Sequence, residues 1–318
     1  MRVPAAEGAA LPAARAAPVA QPSHWLRLTY RLAEALPWPW GEELMGALWM
    51  GWGTVMHPRR IRSARGWAAA QPRGRGPGAA TRLALSLLRH EGRKLAVGAL
   101  VGVQTLEAIR ERTVVEGMDH LAAVEPTVPT ILLGFHVGLP QGWLALRARG
   151  RDVVFVGRRT WPRKAHVVGS RSGLSIPRTG GATARLSVLA TARRLLLDGR
   201  TLWMSADGAG DELFQIPLPG GPLTIRAGWF ALRRHTGAVT LPILTRRARR
   251  RRVVVLSPPL PPPMADVEAD LATCRAALTA LVQDFVRSYP EQCTKLALRE
   301  GRRPGAPPES WQADRAGE

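Results

Sequence analysis

Cysteine and lysine are scarce in this sequence of 318 residues, which contains two cysteines and three lysines. Two cysteines do not make a disulfide framework in a chain of this length, and Cys274 and Cys293 match no metal-binding spacing. These counts exclude a small disulfide-stabilised secreted domain and a cysteine-based zinc module. We therefore expect both thiols to be structural and the protein to work in a reducing compartment.

Long apolar runs are missing as well. No run reaches the roughly 18 apolar residues that a membrane-spanning helix needs. The nearest, Met45–Met56 and Leu95–Val103, suit a buried core helix or a helix that lies in a membrane interface. Residues 1–22 are rich in alanine and proline and lack the continuous apolar segment of a signal peptide, so we expect a disordered tail there.

Several signatures of catalysis and cofactor binding are absent from the sequence. There is no G-x-S-x-G motif, which argues against an α/β-hydrolase with a serine nucleophile. There is neither a Walker A motif nor the glycine signature of a dinucleotide-binding fold. The carboxylates of Asp211 and Glu212 lack the spacing of metal ligands. We therefore expect no metal and no bound cofactor.

Positive charge, in contrast, is abundant. The net charge is +21, the sequence pI is about 11.7, and all but three of the 45 basic residues are arginine. Part of this excess follows a composition rich in alanine, glycine and proline, and the remainder favours an anionic partner, either membrane phospholipid or nucleic acid. Arginine is scattered over predicted helices and strands and forms no basic stripe with stacking aromatics, so nucleic-acid binding is the remote alternative.

Tryptophan is concentrated near the N-terminus, where six of the eleven tryptophans precede residue 70. Its ring prefers the headgroup level of a membrane. An aromatic apolar helix followed by a basic cluster is typical of an anchor in one leaflet. Residues 23–112 are therefore predicted to form a helical region at a membrane interface, and a tryptophan-rich hairpin packed on the main domain is the alternative. The basic cluster consists of Arg59, Arg60, Arg62 and Arg65.

Short β-rich runs alternate with helical ones from residue 113 onward. This alternation predicts an α/β domain over residues 113–290, with a mostly parallel central sheet flanked by helices on both faces. Residues 291–318 are predicted to form a C-terminal tail. The predicted strands are Thr130–Phe135, Asp152–Gly157, Thr201–Ser205, Ala238–Leu244 and Arg252–Ser257, and the predicted helices are Ala80–Arg89, Glu91–Arg112, Leu139–Arg149, Thr183–Asp198, Thr224–Arg234 and Asp266–Arg287.

Polar residues follow three of these strands. His136 ends the first, and parallel α/β sheets place their chemistry at the carboxyl ends of strands. Asp207 and Gly208 follow a second strand and are predicted to shape the pocket. A third strand ends in two arginines at the same edge, where guanidinium groups suit phosphate binding. These two are Arg158 and Arg159, and Arg226 is a weaker candidate of the same kind.

Three segments occur in an informative order: VEGMDHL leading into TILLGFH, then TLWMSADGAGDE, then IPLPGGPLTIRAGWFALRRHTGAVTLPIL. Together they resemble the bacterial lipid A late (lauroyl) acyltransferase family, within the lysophospholipid acyltransferase superfamily, over residues 23–290. The resemblance implies transfer of a fatty acyl chain from acyl carrier protein or CoA to a hydroxyl of a glycolipid or lysophospholipid. It also implies a peripheral or monotopic protein on the cytoplasmic face of the inner membrane.

The resemblance makes His136 the general base, since a neutral imidazole can take a proton from the acceptor hydroxyl. In the family pattern an acid stands five residues after this histidine, and here Gln141 occupies that place. Three interpretations remain open. Gln141 suffices for a slow enzyme, another acid such as Asp207 approaches His136 in space, or the chain is a non-catalytic relative that binds lipid.

Overall fold

The computed structural model describes residues 31, 35–100, 104–139, 142–157, 173–175, 181–208 and 210–298. The predicted tail at residues 1–22 lies outside these ranges. No helix within them combines the length and the apolar character needed to cross a bilayer.

Helices make up the N-terminal part of the described chain. The first and third long helices pack closely, because a Cβ atom at Gly92 would lie only 2.4 Å from the carbonyl oxygen of Met45. The predicted break after residue 89 is absent, and one helix runs through the buried His90. The next helix begins after Thr105, whose hydroxyl accepts a hydrogen bond from the Ala108 N–H at 3.1 Å. The elements are α1 (Trp40–Met56), α2 (Pro58–Ala69), a 3₁₀ turn (Pro72–Gly74), α3 (Ala79–Leu100) and α4 (Leu106–Arg112).

A seven-stranded sheet forms the centre of the described structure. Its strands are β1 (Thr113–Glu116), β2 (Thr130–Gly138), β3 (Val153–Gly157), β4 (Gly173–Ser175), β5 (Thr201–Ser205), β8 (Val239–Ala248) and β9 (Arg251–Leu256), whereas β6 (Glu212–Ile216) and β7 (Leu223–Arg226) form a separate antiparallel ribbon. The strand order is β1-β9-β8-β2-β5-β3-β4. Strands β8, β2, β5, β3 and β4 run parallel, which confirms the predicted mostly parallel sheet. A tight turn at Arg249 joins β8 to β9 as an antiparallel hairpin, and β1 runs parallel to β9.

The remaining helices cover both faces of the sheet. The helix predicted at Thr224–Arg234 begins only at Gly228, because the preceding Leu223–Arg226 pairs with β6 as a strand. The chain just beyond residue 290 also differs from the predicted tail, since it forms short helical elements packed on the core. The helices are α5 (Met118–Ala122), α6 (Gly142–Arg147), α7 (Gly181–Leu197), α8 (Gly228–Thr236), α9 (Val267–Ser288), a 3₁₀ turn (Pro290–Gln292) and α10 (Thr294–Ala297).

Strand β2 is the centre of the core. Its side chains alternate between the two faces of the sheet, as a strand requires. Ile131, Leu133 and Phe135 belong to a cluster that includes residues of α2, α8 and α9. Leu132 belongs to a second cluster with residues of α4, α5 and α6. Along the whole strand, only His136 is not fully buried.

A buried ion cluster attaches α1 to the β8–β9 hairpin. The Glu42 carboxylate is 1% exposed and accepts hydrogen bonds from Arg252, at 2.6 Å, and from Arg247. Burial alone raises the pKa of Glu42, but the two guanidinium groups outweigh it and hold the pKa below its ordinary value. The helical region is therefore joined to the sheet by charge as well as by packing.

The substitution Glu42→Gln should lower the free energy of unfolding by about 3 kcal/mol, because it removes the carboxylate partner of the buried Arg252 and leaves Arg247 with Glu43 alone. Urea unfolding followed by circular dichroism at pH 7 measures this loss. The control is Glu116→Gln, which removes a half-exposed ion pair with Arg246 and should cost less than about 1 kcal/mol. Equal losses in the two variants would contradict the role assigned to the buried cluster.

Candidate active site

His136 lies near the end of β2, where the pairing of β2 with β8 becomes irregular between Gly134 and Gly138. Its side chain is 34% exposed, whereas the other residues of the strand are buried. The strand thus presents one imidazole at the carboxyl edge of the sheet. This is the edge at which the sequence predicted the chemistry.

Asp207 approaches His136 because their strands are neighbours. Strands β2 and β5 pair in parallel with Gly134 opposite Ser205, so the residues just beyond these positions meet. The Asp207 Oδ1 atom lies 2.8 Å from Nδ1 of His136. The backbone N–H of His136 also donates to Oδ1 at 3.0 Å and to Oδ2 at 3.2 Å. Of the three interpretations left open by the sequence, this arrangement matches the one in which Asp207 approaches His136.

The Asp207 side chain has no exposed surface, yet its surroundings favour the ionised carboxylate. Burial alone raises the pKa of Asp207, but the charges of Lys295 and His136 and the hydrogen bonds from His136 and Ser205 lower it well below its usual range. An ionised carboxylate can only accept, so the proton of a neutral imidazole stays on Nδ1 and the lone pair lies on Nε2. Nε2 is therefore the nitrogen suited to take a proton from a substrate.

Ser205 is near the pair but is not placed as a nucleophile. Its hydroxyl donates to Oδ1 of Asp207 at 2.8 Å and lies 2.9 Å from Nδ1 of His136. In a serine hydrolase triad the serine contacts the opposite ring nitrogen, Nε2. Ser205 instead shares Nδ1 with the carboxylate, so its hydroxyl supports the carboxylate and does not face a substrate at Nε2.

Lys295 is a member of the site that the sequence reasoning missed. It lies on α10, and its ammonium donates to the backbone oxygen of Asp207 at 2.7 Å and to Oδ2 at 3.0 Å. A signal was present in the composition, because only three lysines occur among 45 basic residues. In a chain whose basic residues are nearly all arginine, a lysine indicates a position where the shape of the cation matters.

The other predicted site residues fall into two groups: two lie in or beside the loop after β5, and three lie outside the described residues. Gly208 follows Asp207 in the loop after β5. The backbone N–H of Arg226 donates to the Ala206 oxygen at 2.7 Å, which joins β7 to this loop. The half-buried Arg226 side chain has an Nε atom without a hydrogen-bond partner in the described part of the chain. The remaining three, Gln141, Arg158 and Arg159, lie outside the described residues.

Neither cysteine has the properties of a catalytic thiol. Both are buried and form no disulfide. Burial raises the pKa of Cys274 to about 11 and also raises the pKa of Cys293. Both sulfurs therefore stay protonated at neutral pH, whereas the thiolate is the reactive form. Among the described residues, no group of three or more histidines, cysteines or carboxylates could hold a metal ion.

Comparisons with known proteins show a likeness to solved structures. No protein-family model matches the sequence, and no curated protein matches it. One similar solved structure is the 1-acyl-sn-glycerophosphate (LPA) acyltransferase PlsC from Thermotoga maritima. That protein is 14% identical, the match covers 72% of this chain and 99% of that chain, and the TM-score is 0.39. At these values the likeness assigns neither a family nor an activity.

The lowered pKa of Asp207 predicts how its contribution to stability depends on pH. A carboxylate with a depressed folded-state pKa stabilises the fold above its unfolded pKa, and this stabilisation is lost as the pH falls through the folded value. The difference in unfolding free energy between the wild type and Asp207→Asn should therefore be largest near neutral pH and shrink as the solution becomes strongly acidic. Urea unfolding across this range measures the difference, and a difference independent of pH would contradict the ionised state.

Proposed function

We propose that this protein is an O-acyltransferase that moves a fatty acyl chain from acyl carrier protein or acyl-CoA to a hydroxyl of a glycolipid or lysophospholipid. The observation that supports the proposal is the buried Asp207 carboxylate on Nδ1 of His136, with Nε2 left for a substrate. The order of motifs that resembles the lipid A late acyltransferase family suggests the classes of donor and acceptor.

His136 is the general base in the proposed reaction. Its Nε2 atom takes the proton of the acceptor hydroxyl while the hydroxyl oxygen attacks the carbonyl carbon of the thioester. The new C–O bond forms, the C–S bond breaks, and the imidazolium returns the proton to the leaving thiolate. The charge of Asp207 stabilises the imidazolium between these two steps. The acceptor hydroxyl takes the place that an enzyme serine has in a hydrolase, which agrees with the position of Ser205.

Variants of the pair test this mechanism. His136→Ala should lower acyl transfer by about 10²- to 10⁴-fold, the usual contribution of a positioned base. Asp207→Asn should lower it by up to about 10⁴-fold, because the amide cannot stabilise the imidazolium by charge. Transfer is measured by mass spectrometry of lysophospholipid and glycolipid acceptors, each with acyl carrier protein and CoA thioesters as donors.

The chain offers a matched control in a second histidine–aspartate pair. His120 and Asp119 lie on α5, where the aspartate side chain is 82% exposed and the two groups are 4.0 Å apart. His120→Ala and Asp119→Asn should leave transfer unchanged. Unchanged transfer in His136→Ala would remove His136 from the mechanism. A folded wild type that binds these lipids but transfers nothing from any donor would favour the non-enzymatic lipid-binding alternative.

The proposed location is the cytoplasmic face of the cell membrane, with α1 lying in the interface. The apolar side chains of Trp52, Val55 and Met56 are 40%, 75% and 53% exposed near the end of α1. Clustered exposed apolar side chains mark an interaction surface. Exposed arginines follow on α2 and would meet anionic headgroups there. They are Arg59, Arg62 and Arg65.

The double variant Trp52→Glu/Val55→Glu should weaken binding to phosphatidylglycerol vesicles by more than about tenfold, because two acidic groups replace the inserted apolar surface. Co-sedimentation at several salt concentrations measures the binding. The control is Leu186→Glu/Leu197→Glu, which changes two exposed leucines on α7 and should have little effect. Salt-dependent binding to DNA without binding to vesicles would contradict the membrane proposal and support the nucleic-acid alternative.

A further inference from the structure

Lys295 is held against both the carboxylate and the backbone of Asp207. Its Nζ atom donates to Oδ2 at 3.0 Å and to the Asp207 carbonyl oxygen at 2.7 Å. The same atom lies 3.4 Å from Nδ1 of His136. One ammonium group therefore fixes the carboxylate that orients the base and also places a positive charge beside the base.

The position of Lys295 is set by the N-terminal helices. The Ala297 carbonyl of its short helix, α10, accepts a hydrogen bond from the Ser63 hydroxyl of α2 at 3.0 Å. The Lys94 ammonium of α3 donates to the hydroxyl of Thr294 at 3.3 Å. The charged and titratable groups that contact Lys295 include Asp207 and His136 on the sheet side. On the side of α3, Lys94 contacts α10 through Thr294 and forms an ion pair with Glu91.

Lysine suits this position better than arginine does. An ammonium group is a compact point charge with three donors, whereas a guanidinium is a larger planar fork. The two oxygens that accept from Lys295 belong to one residue, at its backbone and at its side chain, and a single Nζ atom reaches both. This geometry suits a lysine in a chain whose basic residues are nearly all arginine.

We propose that Lys295 is a positioning residue of the acyl transfer reaction: it holds Asp207 in the orientation that aligns His136, and it sets the pH range in which His136 acts as a base. This inference rests on the proposed function. Removing the ammonium takes away one of the hydrogen bonds that hold the carboxylate against Nδ1, and leaves those from Ser205 and from the backbone N–H of His136. It also removes a positive charge that opposes protonation of the imidazole, so the ring becomes easier to protonate.

Two substitutions of Lys295 in the full-length protein separate geometry from charge. Lys295→Met keeps most of the side chain but removes its charge. Its kcat/KM should fall by about tenfold or more, since a hydrogen bond to a charged group contributes about that factor. The acid limb of its pH profile should move to higher pH. Lys295→Arg should also lower kcat/KM but leave the acid limb in place, because the charge remains and the geometry changes.

Lys94→Met is the matched control, because it removes an ammonium that contacts α10 but not Asp207. It should leave the acid limb at its wild-type position. An acid limb that moves equally in Lys94→Met and Lys295→Met would overturn the inference, because the effect would then come from a general disturbance of α10. A folded Lys295→Met protein with wild-type kcat/KM and a wild-type pH profile would overturn it as well.

A titration of the His136 ring by NMR gives a readout that does not need turnover. The ring signals are assigned by their loss in His136→Gln, and their midpoint should lie at higher pH in Lys295→Met than in the wild type. An active wild type whose midpoint is the same in Lys295→Met would refute the role of Lys295 alone. A shifted midpoint in a protein that transfers no acyl chain would support the electrostatic role of Lys295 and refute the proposed function.

Discussion

The charge of one buried carboxylate organises this protein. An isolated charge in a protein interior is costly unless hydrogen bonds and opposite charges compensate it. Asp207 is compensated by groups from three separate parts of the chain, namely His136 of β2, Ser205 of β5 and Lys295 of α10. The same contacts that make the buried charge tolerable also leave Nε2 of the imidazole as the basic atom of the site.

The fold supplies these contacts in two ways. The parallel pairing of β2 with β5 places Asp207 next to His136 by register alone. Lys295 is not placed by strand register. It lies on α10, a helix that is held by hydrogen bonds from α2 and α3. A second buried charge, Glu42, joins α1 to the β8–β9 hairpin. The N-terminal helices are therefore part of the framework of the site as well as its proposed contact with the membrane.

The sequence predicted the framework of the sheet because that framework follows from local patterns. The apolar run of β2, the β-rich run Thr201–Ser205 and the alternation with helices are visible in the residues themselves. The helix start at Gly228 was missed because the preceding residues are a strand only through their pairing with β6. The break predicted after residue 89 was wrong, because α3 packs closely against α1 on both sides of His90 and stays helical there.

Less of the site than of the sheet could be predicted from the sequence. The pattern of the family that the sequence resembles pointed to Gln141, and nothing local decides which carboxylate meets His136 in space. Asp207 was named as one alternative because it follows a strand, but the register that brings it to His136 is a property of the folded sheet. Lys295 lies 159 residues from His136 on a helix of four residues, which is too short to show a periodic pattern.

That separation has a consequence for the order of events during synthesis. Contacts between residues far apart in sequence form late, because a long loop must close first. While the ribosome is still making the segment that contains α10, the N-terminal helices and the first strands have already emerged. The apolar end of α1 therefore leaves the ribosome before Lys295, the cation that pairs with Asp207, has been synthesised, and the nascent chain carries an incomplete site until α10 docks.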